Sequence, residues 1–208
     1  IGHRSGGAIW IDLLGGPNRR CVVETWRVAD PILFLTVGLP GAGKTTLATA
    51  LARRLRIVRL TPDEWMAPLF RASDADGRRD ILEGRMIWVA SRLVAGGSSV
   101  ILDVGCWSAE ERYAIRHLAE AAGGRFELVL ADLDEEQRRQ RADRRWAEAP
   151  ESTFPMTAAD HDRFLAGYQP PTPEELSYAP VPAPPDGSPD WATWASRRWP
   201  TLPAAPRW

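Results

Sequence analysis

Cysteine, lysine and long apolar runs are all scarce in this 208-residue chain. Two cysteines, Cys21 and Cys106, are too few for a disulfide framework and lack the spacing of a metal site, which is typical of a reducing compartment. No apolar run approaches the length that crosses a bilayer. The first residues lack the basic region and apolar run of a secretory signal, so we expect a soluble, cytoplasmic protein without a membrane partner.

An excess of charge of one sign is also missing. The formal net charge is −1, so no broad basic field exists to attract nucleic acid, and a nucleic-acid partner is not expected. The three histidines, His3, His117 and His161, have no cysteine or acid at ligand spacing, so we expect no catalytic or metal-binding histidine. The hydrophobic fraction, 44%, is ordinary for a globular protein, and the length predicts one domain with appendages.

The most informative stretch follows a short apolar run, Ile32–Val37, that is rich in strand-forming residues. The next eight residues match the phosphate-binding loop pattern G-x-x-x-x-G-K-[ST], and a helical pattern of leucines follows them. Strand, loop and helix therefore occur in the order that the motif requires, and the alternative is a chance glycine-rich turn before an ordinary helix. The residues predicted to bind the phosphates are Gly38, Leu39, Pro40, Gly41, Ala42, Gly43, Lys44, Thr45 and Thr46.

The chemistry of this loop accounts for its residues. Glycines let backbone N–H groups approach phosphate oxygens, and the following helix points its positive end at the same phosphates. Lys44 is predicted to reach the β- and γ-phosphates, and the Thr45 hydroxyl to bind Mg²⁺. Lys44 is the only lysine in a chain that otherwise uses arginine, which favours a specific need for a compact ammonium group here.

Strands and helices alternate beyond the loop, with predicted strands at Ile57–Leu60, Ser99–Asp103 and Phe126–Ala131. This alternation predicts an α/β fold: a P-loop NTPase three-layer sandwich with a mainly parallel, four-stranded sheet and ligands beyond the carboxyl ends of the strands. We expect a kinase-like domain over residues 31–178. Residues 1–30 form an extension, either a hairpin or a loose leader. Residues 179–208 form a Pro/Trp-rich tail that docks on the domain, contacts a partner or is floppy.

Asp63 follows the second strand on the side where ligands are expected. Thr61 and Glu64 are spaced as a capping box with Pro62 at the first helical position, which predicts a helix start there. A general base for a substrate hydroxyl would lie at the position of Asp63, opposite the γ-phosphate. The alternative is an acid that only stabilises the first turn of the helix.

Asp103 ends the third strand, where P-loop NTPases place a second acid linked to Mg²⁺. We predict a role in the site, and the sequence leaves metal binding and substrate contact equally open. The alternative is an acid that caps the turn after the strand.

Arginines mark one face of the helix predicted over Glu135 to Ala147. Arg138, Arg141 and Arg145 share that face, and Arg141 with Arg145 are the best candidates for a lid that stabilises the transferring phosphoryl group. The alternative is a solvated charged face with nearby acids as partial partners.

These motifs resemble one known group, the AAA_33-type small P-loop kinases, whose relatives include polynucleotide 5′-kinase, chloramphenicol phosphotransferase and the zeta toxins. The resemblance covers residues 32–178 and implies ATP with Mg²⁺, phosphoryl transfer to a hydroxyl, Asp63 as catalytic acid, and Arg141 with Arg145 as lid. The usual last strand of the group is replaced by the proline-rich tail, and the N-terminal segment has no counterpart. The resemblance rests on Gly38–Thr46, Thr61–Trp65, Leu102–Ser108, Glu111, Arg112, Arg141, Arg145 and Phe164–Leu176.

Three functions remain open from the sequence. The leading hypothesis is an ATP-dependent kinase acting on a small hydroxyl-bearing molecule, with catalytic residues Lys44, Asp63, Arg141 and Arg145 and metal ligands Thr45 and Asp103. One alternative is a nucleotide-binding regulatory module with little transfer activity. The other is a polynucleotide 5′-kinase, which would need a basic groove with stacking aromatic residues.

Overall fold

The computed structural model of the protein describes residues 30–71, 76–148, 155–185 and 187–203. The hairpin predicted within residues 1–30 lies outside the described residues. The strands are β1 (Ile32–Val37), β2 (Val58–Leu60), β3 (Val100–Leu102) and β4 (Arg125–Leu130). These four parallel strands form one sheet in the order β2-β3-β1-β4, which confirms the predicted parallel sheet.

Helices follow the strands as the sequence predicts. Capping boxes begin three of them, Ser108 with Glu111, Thr157 with Asp160 and Thr172 with Glu175. No helix among the described residues is both long and apolar enough to cross a membrane. The helices are α1 (Lys44–Leu55), α2 (Pro62–Phe70), α3 (Arg78–Ala95), α4 (Ala109–Ala121), α5 (Glu135–Glu148), α6 (Ala158–Gly167), α7 (Pro173–Leu176) and α8 (Trp191–Arg198).

Strand β1 is buried on both faces, and its alternating side chains enter two separate cores. Leu33, Leu35 and Val37 pack into a large cluster with residues of α3, α4 and α8. Ile32 and Phe34 face the other way, into a smaller cluster with residues of α1. Helices therefore cover both faces of the sheet, which is the three-layer sandwich of a P-loop fold.

The start of α2 differs from the prediction. The Glu64 carboxylate accepts a hydrogen bond from the Arg59 guanidinium. No hydrogen bond joins Thr61 to Glu64, although the structure describes both residues, so the predicted capping box at this helix is wrong. The reason is that a charge-assisted bond to a nearby guanidinium is stronger than a bond to a backbone N–H.

Residues 169–178 hold the chain against α4. Arg112 is 1% exposed, and its guanidinium donates two hydrogen bonds to the Glu175 carboxylate, at 2.7 and 2.8 Å. The same guanidinium donates to the Gln169 carbonyl at 2.9 Å. Farther along, the Tyr178 hydroxyl accepts a bond from the Leu128 N–H of β4, so this segment also covers part of the outer edge of β4.

Helix α8, in the predicted tail, packs into the same large cluster as β1. Trp199 is 1% exposed, and Trp191 and Leu202 are also buried. Trp194 makes edge-on ring contacts with both neighbouring tryptophans, with ring centroids 5.6 Å from Trp191 and 6.2 Å from Trp199. Of the alternatives that the sequence left open, the described part of the tail adopts the docked one.

Candidate active site

The phosphate-binding motif lies at the carboxyl end of β1, in the middle of the sheet. Gly38 follows β1 directly, and α1 begins at Lys44 with Gly43 as its N-terminal cap residue in the left-handed conformation. Leu39 and Ala42 are buried, whereas Pro40, Gly41 and Thr45 are half-buried and Thr46 is exposed. The loop therefore anchors itself by its apolar side chains and leaves the N-terminal end of α1 as an anion site.

Two glycines of the loop are required by close backbone contacts. Gly38 has φ 146° and Gly41 has φ 86°, in the region that side chains disfavour. A Cβ at Gly38 would collide with the Ala131 carbonyl oxygen, and a Cβ at Gly41 would collide with the Arg138 carbonyl oxygen. The loop is thus pressed against the end of β4 and against α5, so its shape depends on both.

The Lys44 ammonium folds back over the loop and donates a hydrogen bond to the Leu39 carbonyl, 3.1 Å away. Burial lowers the pKa of Lys44 to about 8, while the negative charges of Asp103 and Asp63 oppose that effect. The positive charges of Arg79 and Arg138 lower the Lys44 pKa further. Lys44 therefore lies within electrostatic range of groups from α2, α3, α5 and the end of β3.

Asp63 lies in the first turn of α2 and is held by an arginine that the sequence did not indicate. The Arg79 guanidinium, at the start of α3, donates to the Asp63 carboxylate at 3.0 Å and to Glu83 at 3.0 Å. The Asp63 side chain is 50% exposed, so it is open to a ligand, whereas Glu83 is largely buried and its pKa is raised by that burial.

Asp103 follows β3 directly, and its side chain is only 3% exposed. One carboxylate oxygen accepts from the Thr36 hydroxyl at 2.6 Å, and the other accepts from the Arg59 guanidinium at 2.7 Å. Asp103 is therefore fixed in place and linked to three neighbouring strands, because Thr36 belongs to β1 and Arg59 to β2.

A magnesium ion fits this donor set only in part. The Thr45 hydroxyl and the Asp103 carboxylate are hard oxygen ligands of the kind that Mg²⁺ takes, usually together with waters and substrate phosphates. The bonds from Thr36 and Arg59 occupy one side of each Asp103 oxygen, which favours contact with the metal through water. No cluster of three or more histidine, cysteine, aspartate or glutamate side chains suited to a metal occurs in the described part of the chain.

Arg138 is the arginine of α5 that meets the phosphate loop. It is 1% exposed, and its guanidinium donates to the Pro40 carbonyl at 2.8 Å and makes a two-point contact with Glu135. Arg141 is half-buried and Arg145 is exposed, and no hydrogen bond joins either of them to the loop, which the structure describes in full. The predicted face is therefore present, but its first arginine contacts the loop while the other two do not.

Arg141 instead lines a groove of about 360 Å³ along α5, together with Gln137, Gln140 and Arg144. Neither Arg141 nor Arg144 forms an ion pair with any residue that the structure describes. Two guanidinium groups in an open groove without carboxylate partners form a surface suited to anionic groups.

Sequence reasoning missed Arg59 and Arg79. Arg59 alternates with the apolar residues of β2, and that alternation was a signal that it points to one face of the sheet near the third strand. Arg79 carried no such signal, because it lies after a polar stretch and its pairing with Asp63 depends on how α3 packs beside α2.

Comparisons with solved structures support the fold. Kti12 from Chaetomium thermophilum in complex with ADP-AlF3 is 17% identical and matches with a TM-score of 0.55 over 83% of this chain and 100% of that chain. A gluconokinase from Sinorhizobium meliloti is 15% identical, with a TM-score of 0.50 over 75% of this chain and 87% of that chain. At these identities the likeness shows a shared P-loop fold alone.

Comparison with sequence families gives the more specific result. No curated protein sequence matches the chain significantly. The profile of the AAA_33 family, described as an AAA domain, matches residues 33–171, which include the phosphate loop, Asp63, Asp103 and all of α5. The chain therefore belongs to the AAA_33 family of P-loop proteins.

Proposed function

We propose that the protein is an ATP-dependent kinase that transfers the γ-phosphate to a hydroxyl group of a small molecule. The observation that carries the proposal is the position of Asp63, whose carboxylate lies within electrostatic range of Lys44 in the phosphate loop. An exposed carboxylate opposite the end of a bound phosphate chain is where an acceptor hydroxyl would need a proton acceptor.

Each residue would have a separate task in this reaction. The loop N–H groups and Lys44 would bind the β- and γ-phosphates, and Thr45, with Asp103 acting through water, would hold Mg²⁺. The metal would neutralise charge on the phosphate oxygens. Asp63 would orient the acceptor hydroxyl and take its proton, and Arg141 and Arg145 would approach the γ-phosphate when α5 closes over it.

The ion pair between Asp63 and Arg79 also supports a second candidate function. A carboxylate that stays bound to Arg79 at 3.0 Å is less available to a substrate hydroxyl, as expected of a regulatory module that binds ATP without transferring phosphate. The two functions differ in whether ADP formation is accompanied by a phosphorylated acceptor.

The Asp63→Asn variant tests the proposal, with Glu64→Gln as matched control. Both acids lie in the first turn of α2 and pair with an arginine, but only Asp63 is assigned to the acceptor. Wild-type protein is incubated with ATP, Mg²⁺ and a metabolite extract, and mass spectrometry identifies the phosphorylated product. Loss of a general base should lower turnover by about 10²- to 10⁴-fold in Asp63→Asn, with ATP affinity unchanged.

Near-normal turnover in Asp63→Asn would remove Asp63 from the mechanism. ATP binding without any phosphorylated product in the wild type would favour the regulatory module. Whether the protein is a kinase or a regulatory module, Lys44→Met should abolish ATP binding while the fold survives, because Lys44 is assigned to the phosphates and not to the acceptor.

A further inference from the structure

Two buried polar atoms in the described part of the chain have no hydrogen-bond partner, and both are nitrogens of aromatic rings, His161 Nε2 and Trp107 Nε1. Buried donors without partners are rare in folded proteins because each forfeits the hydrogen bond that water gave it. His161 contacts Arg138, which meets the phosphate loop, and Trp107 lies four residues beyond Asp103. Both therefore border the candidate site and indicate that something with lone pairs belongs beside it.

The hydrogen-bond geometry of His161 fixes where its proton lies. The imidazole is 3% exposed, and its Nδ1 lies 3.0 Å from Nη1 of Arg138. A guanidinium has donors and no acceptor, so Nδ1 must accept, and the ring proton must reside on Nε2. Burial, followed by the charges of Arg138 and Arg139, lowers the His161 pKa, so the ring is neutral near pH 7. His161 therefore presents an N–H donor, as Trp107 does.

Helix α6 carries His161, contacts Trp107 through Phe164, and crosses the carboxyl edge of the sheet. The N-terminal half of α6 is tied to α5, because His161 contacts Arg138 and Asp162 accepts from Arg139 at 2.6 Å. Its C-terminal half contacts the β3–α4 loop, where the Phe164 ring meets the Trp107 ring at 4.9 Å. Helix α6 thus reaches from Arg138, which contacts the phosphate loop, to the loop that follows Asp103.

The position of the Trp107 nitrogen is fixed by Gly105. A Cβ at Gly105 would lie 3.2 Å from Trp107 Nε1, so the indole edge rests on the backbone two residues beyond Asp103. The Trp107 carbonyl also accepts from the Gln169 N–H at 2.9 Å, which holds the residue in place. Its donor is therefore rigid and lies at the sheet edge where ligands of parallel α/β folds bind.

We propose that the underside of α6, at His161 and Trp107, is a subsite for an oxyanion of the phosphate type, carried by the nucleotide or by the acceptor. Two neutral N–H donors without a competing acceptor select a group that only accepts hydrogen bonds. The Arg138 guanidinium, which contacts His161, favours an anion over a neutral carbonyl. Because the donors are enclosed, α6 opens to admit the group and closes over it. The inference rests on the proposed function, because the nucleotide or the acceptor of a kinase would supply the oxyanion.

Two variants each remove one ring donor. In Trp107→Phe the ring contact with Phe164 is kept and the indole N–H is lost. In His161→Asn the amide oxygen replaces Nδ1 as the acceptor for Arg138, and the shorter side chain carries its amide N–H groups away from the Nε2 position. Trp194→Phe is the matched control, because Trp194 is also half-buried and in ring contact but lies in α8. In Trp107→Phe, losing a donor that has no partner should lower the melting temperature of the ligand-free protein no more than the lost ring volume does in Trp194→Phe.

Calorimetry then distinguishes the two sources of the oxyanion. If the γ-phosphate occupies the subsite, both variants should bind the ATP analogue AMPPNP with Mg²⁺ about tenfold or more weakly, with ADP affinity unchanged. If an anionic group of the acceptor occupies it, nucleotide affinities stay normal and inorganic sulfate binds the variants more weakly than the wild type, with or without MgADP. Trp194→Phe should behave as the wild type in both arms.

A melting temperature of ligand-free Trp107→Phe clearly below that of Trp194→Phe, with unchanged affinities, would mean that water satisfies the indole donor, and would overturn the inference. Unchanged melting temperature and unchanged affinities would overturn it as well. A wild-type chain that binds neither MgADP nor AMPPNP would refute the proposed function instead, and the sulfate arm on ligand-free protein still tests the subsite.

Discussion

Lys44 is the only lysine in the chain, which makes its titration directly observable. Its pKa is lowered to about 8, chiefly by burial, in a ligand-free loop whose nearest carboxylates offset that burial only in part. A bound triphosphate adds negative charge beside the ammonium and must raise the pKa. The protonation state of one side chain therefore reports both the geometry of the loop and its occupancy.

This coupling predicts how nucleotide affinity depends on pH. Below about pH 8 Lys44 is charged before ATP binds, so affinity should change little. Above pH 8 the free amine is neutral and must take up a proton on binding, so the dissociation constant should rise by up to about tenfold per pH unit. Calorimetry from pH 7.5 to 9.5 measures the affinity, and NMR of protein labelled with ¹³C-lysine follows one signal. An affinity that stays flat up to pH 9.5 would contradict the lowered pKa.

The second prediction at this scale concerns the arginines of α5. Arg141→Ala and Arg145→Ala should lower turnover far more than they raise the dissociation constant of ATP, because a contact made chiefly in the transition state can be worth about 10³-fold. Steady-state kinetics and ATP titration on the same preparations separate the two effects.

The control is Arg54→Ala, an exposed arginine in the last turn of α1, at the opposite edge of the sheet. Arg139 is unsuitable as a control because it pairs with Glu135 and Asp162 and so ties α5 to α6. Effects at Arg141 and Arg145 as small as that of Arg54→Ala would leave this face of α5 solvated and without a catalytic role.

At the scale of elements, the contact between α4 and residues 169–178 depends on a buried ion pair. Glu175→Gln leaves the Arg112 guanidinium, 1% exposed, without a compensating charge, and such a change costs about 3–5 kcal/mol of unfolding free energy. The double variant Arg112→Met/Glu175→Met should recover part of that loss, because apolar groups of similar volume need no compensating charge. Urea unfolding at neutral pH measures both.

Glu120→Gln is the matched control for that pair. Glu120 pairs with Arg116, one turn along α4 from Arg112, and is 48% exposed, so solvent weakens the interaction. Losing the Glu120 charge should cost clearly less than losing that of Glu175. Equal effects of Glu175→Gln and Glu120→Gln would mean that the buried pair contributes no more than a surface pair.

On the scale of the whole molecule, the C-terminal segment belongs to the main core. Trp199 lies in the same cluster as Leu33 and Leu35 of β1, and Gly84 of α3 has no side chain where Trp199 and Thr201 pack. Trp199→Ala should therefore cost about 3–5 kcal/mol in one cooperative transition. The control Trp146→Ala, at an exposed position on α5, should change stability by about 0.5 kcal/mol or less.

Thermal and urea unfolding followed by circular dichroism measure both variants. A chain that ends at residue 178 should lack a cooperative transition, because it leaves the α8 side of the cluster open to water. A stable, cooperative truncated chain would show that residues 31–178 fold alone, as the sequence-based boundary suggests.

The candidate site could be predicted only in part. The phosphate loop, Asp63 and Asp103 follow from short motifs and from their positions at strand ends, since the carboxyl ends of parallel strands meet at one edge. Their partners Arg79 and Arg59 could not be predicted, because each pair joins elements whose packing is not encoded in local spacing. The capping box predicted for α2 failed for the same reason, since Arg59 reaches Glu64 only in the folded chain.

Local patterns predicted the loop, the parallel sheet and helices α1 to α6, because apolar periodicity, caps and glycines act over a few neighbouring residues. They did not predict α7 or α8, which lie in the proline-rich stretch. Only the tertiary structure decided that Arg138 rather than Arg141 contacts the phosphate loop, that α6 crosses the sheet edge, and that the tail enters the core. These contacts join residues far apart in sequence. Many arginines and tryptophans could fill the few buried positions, and which of them does so depends on how the whole chain packs.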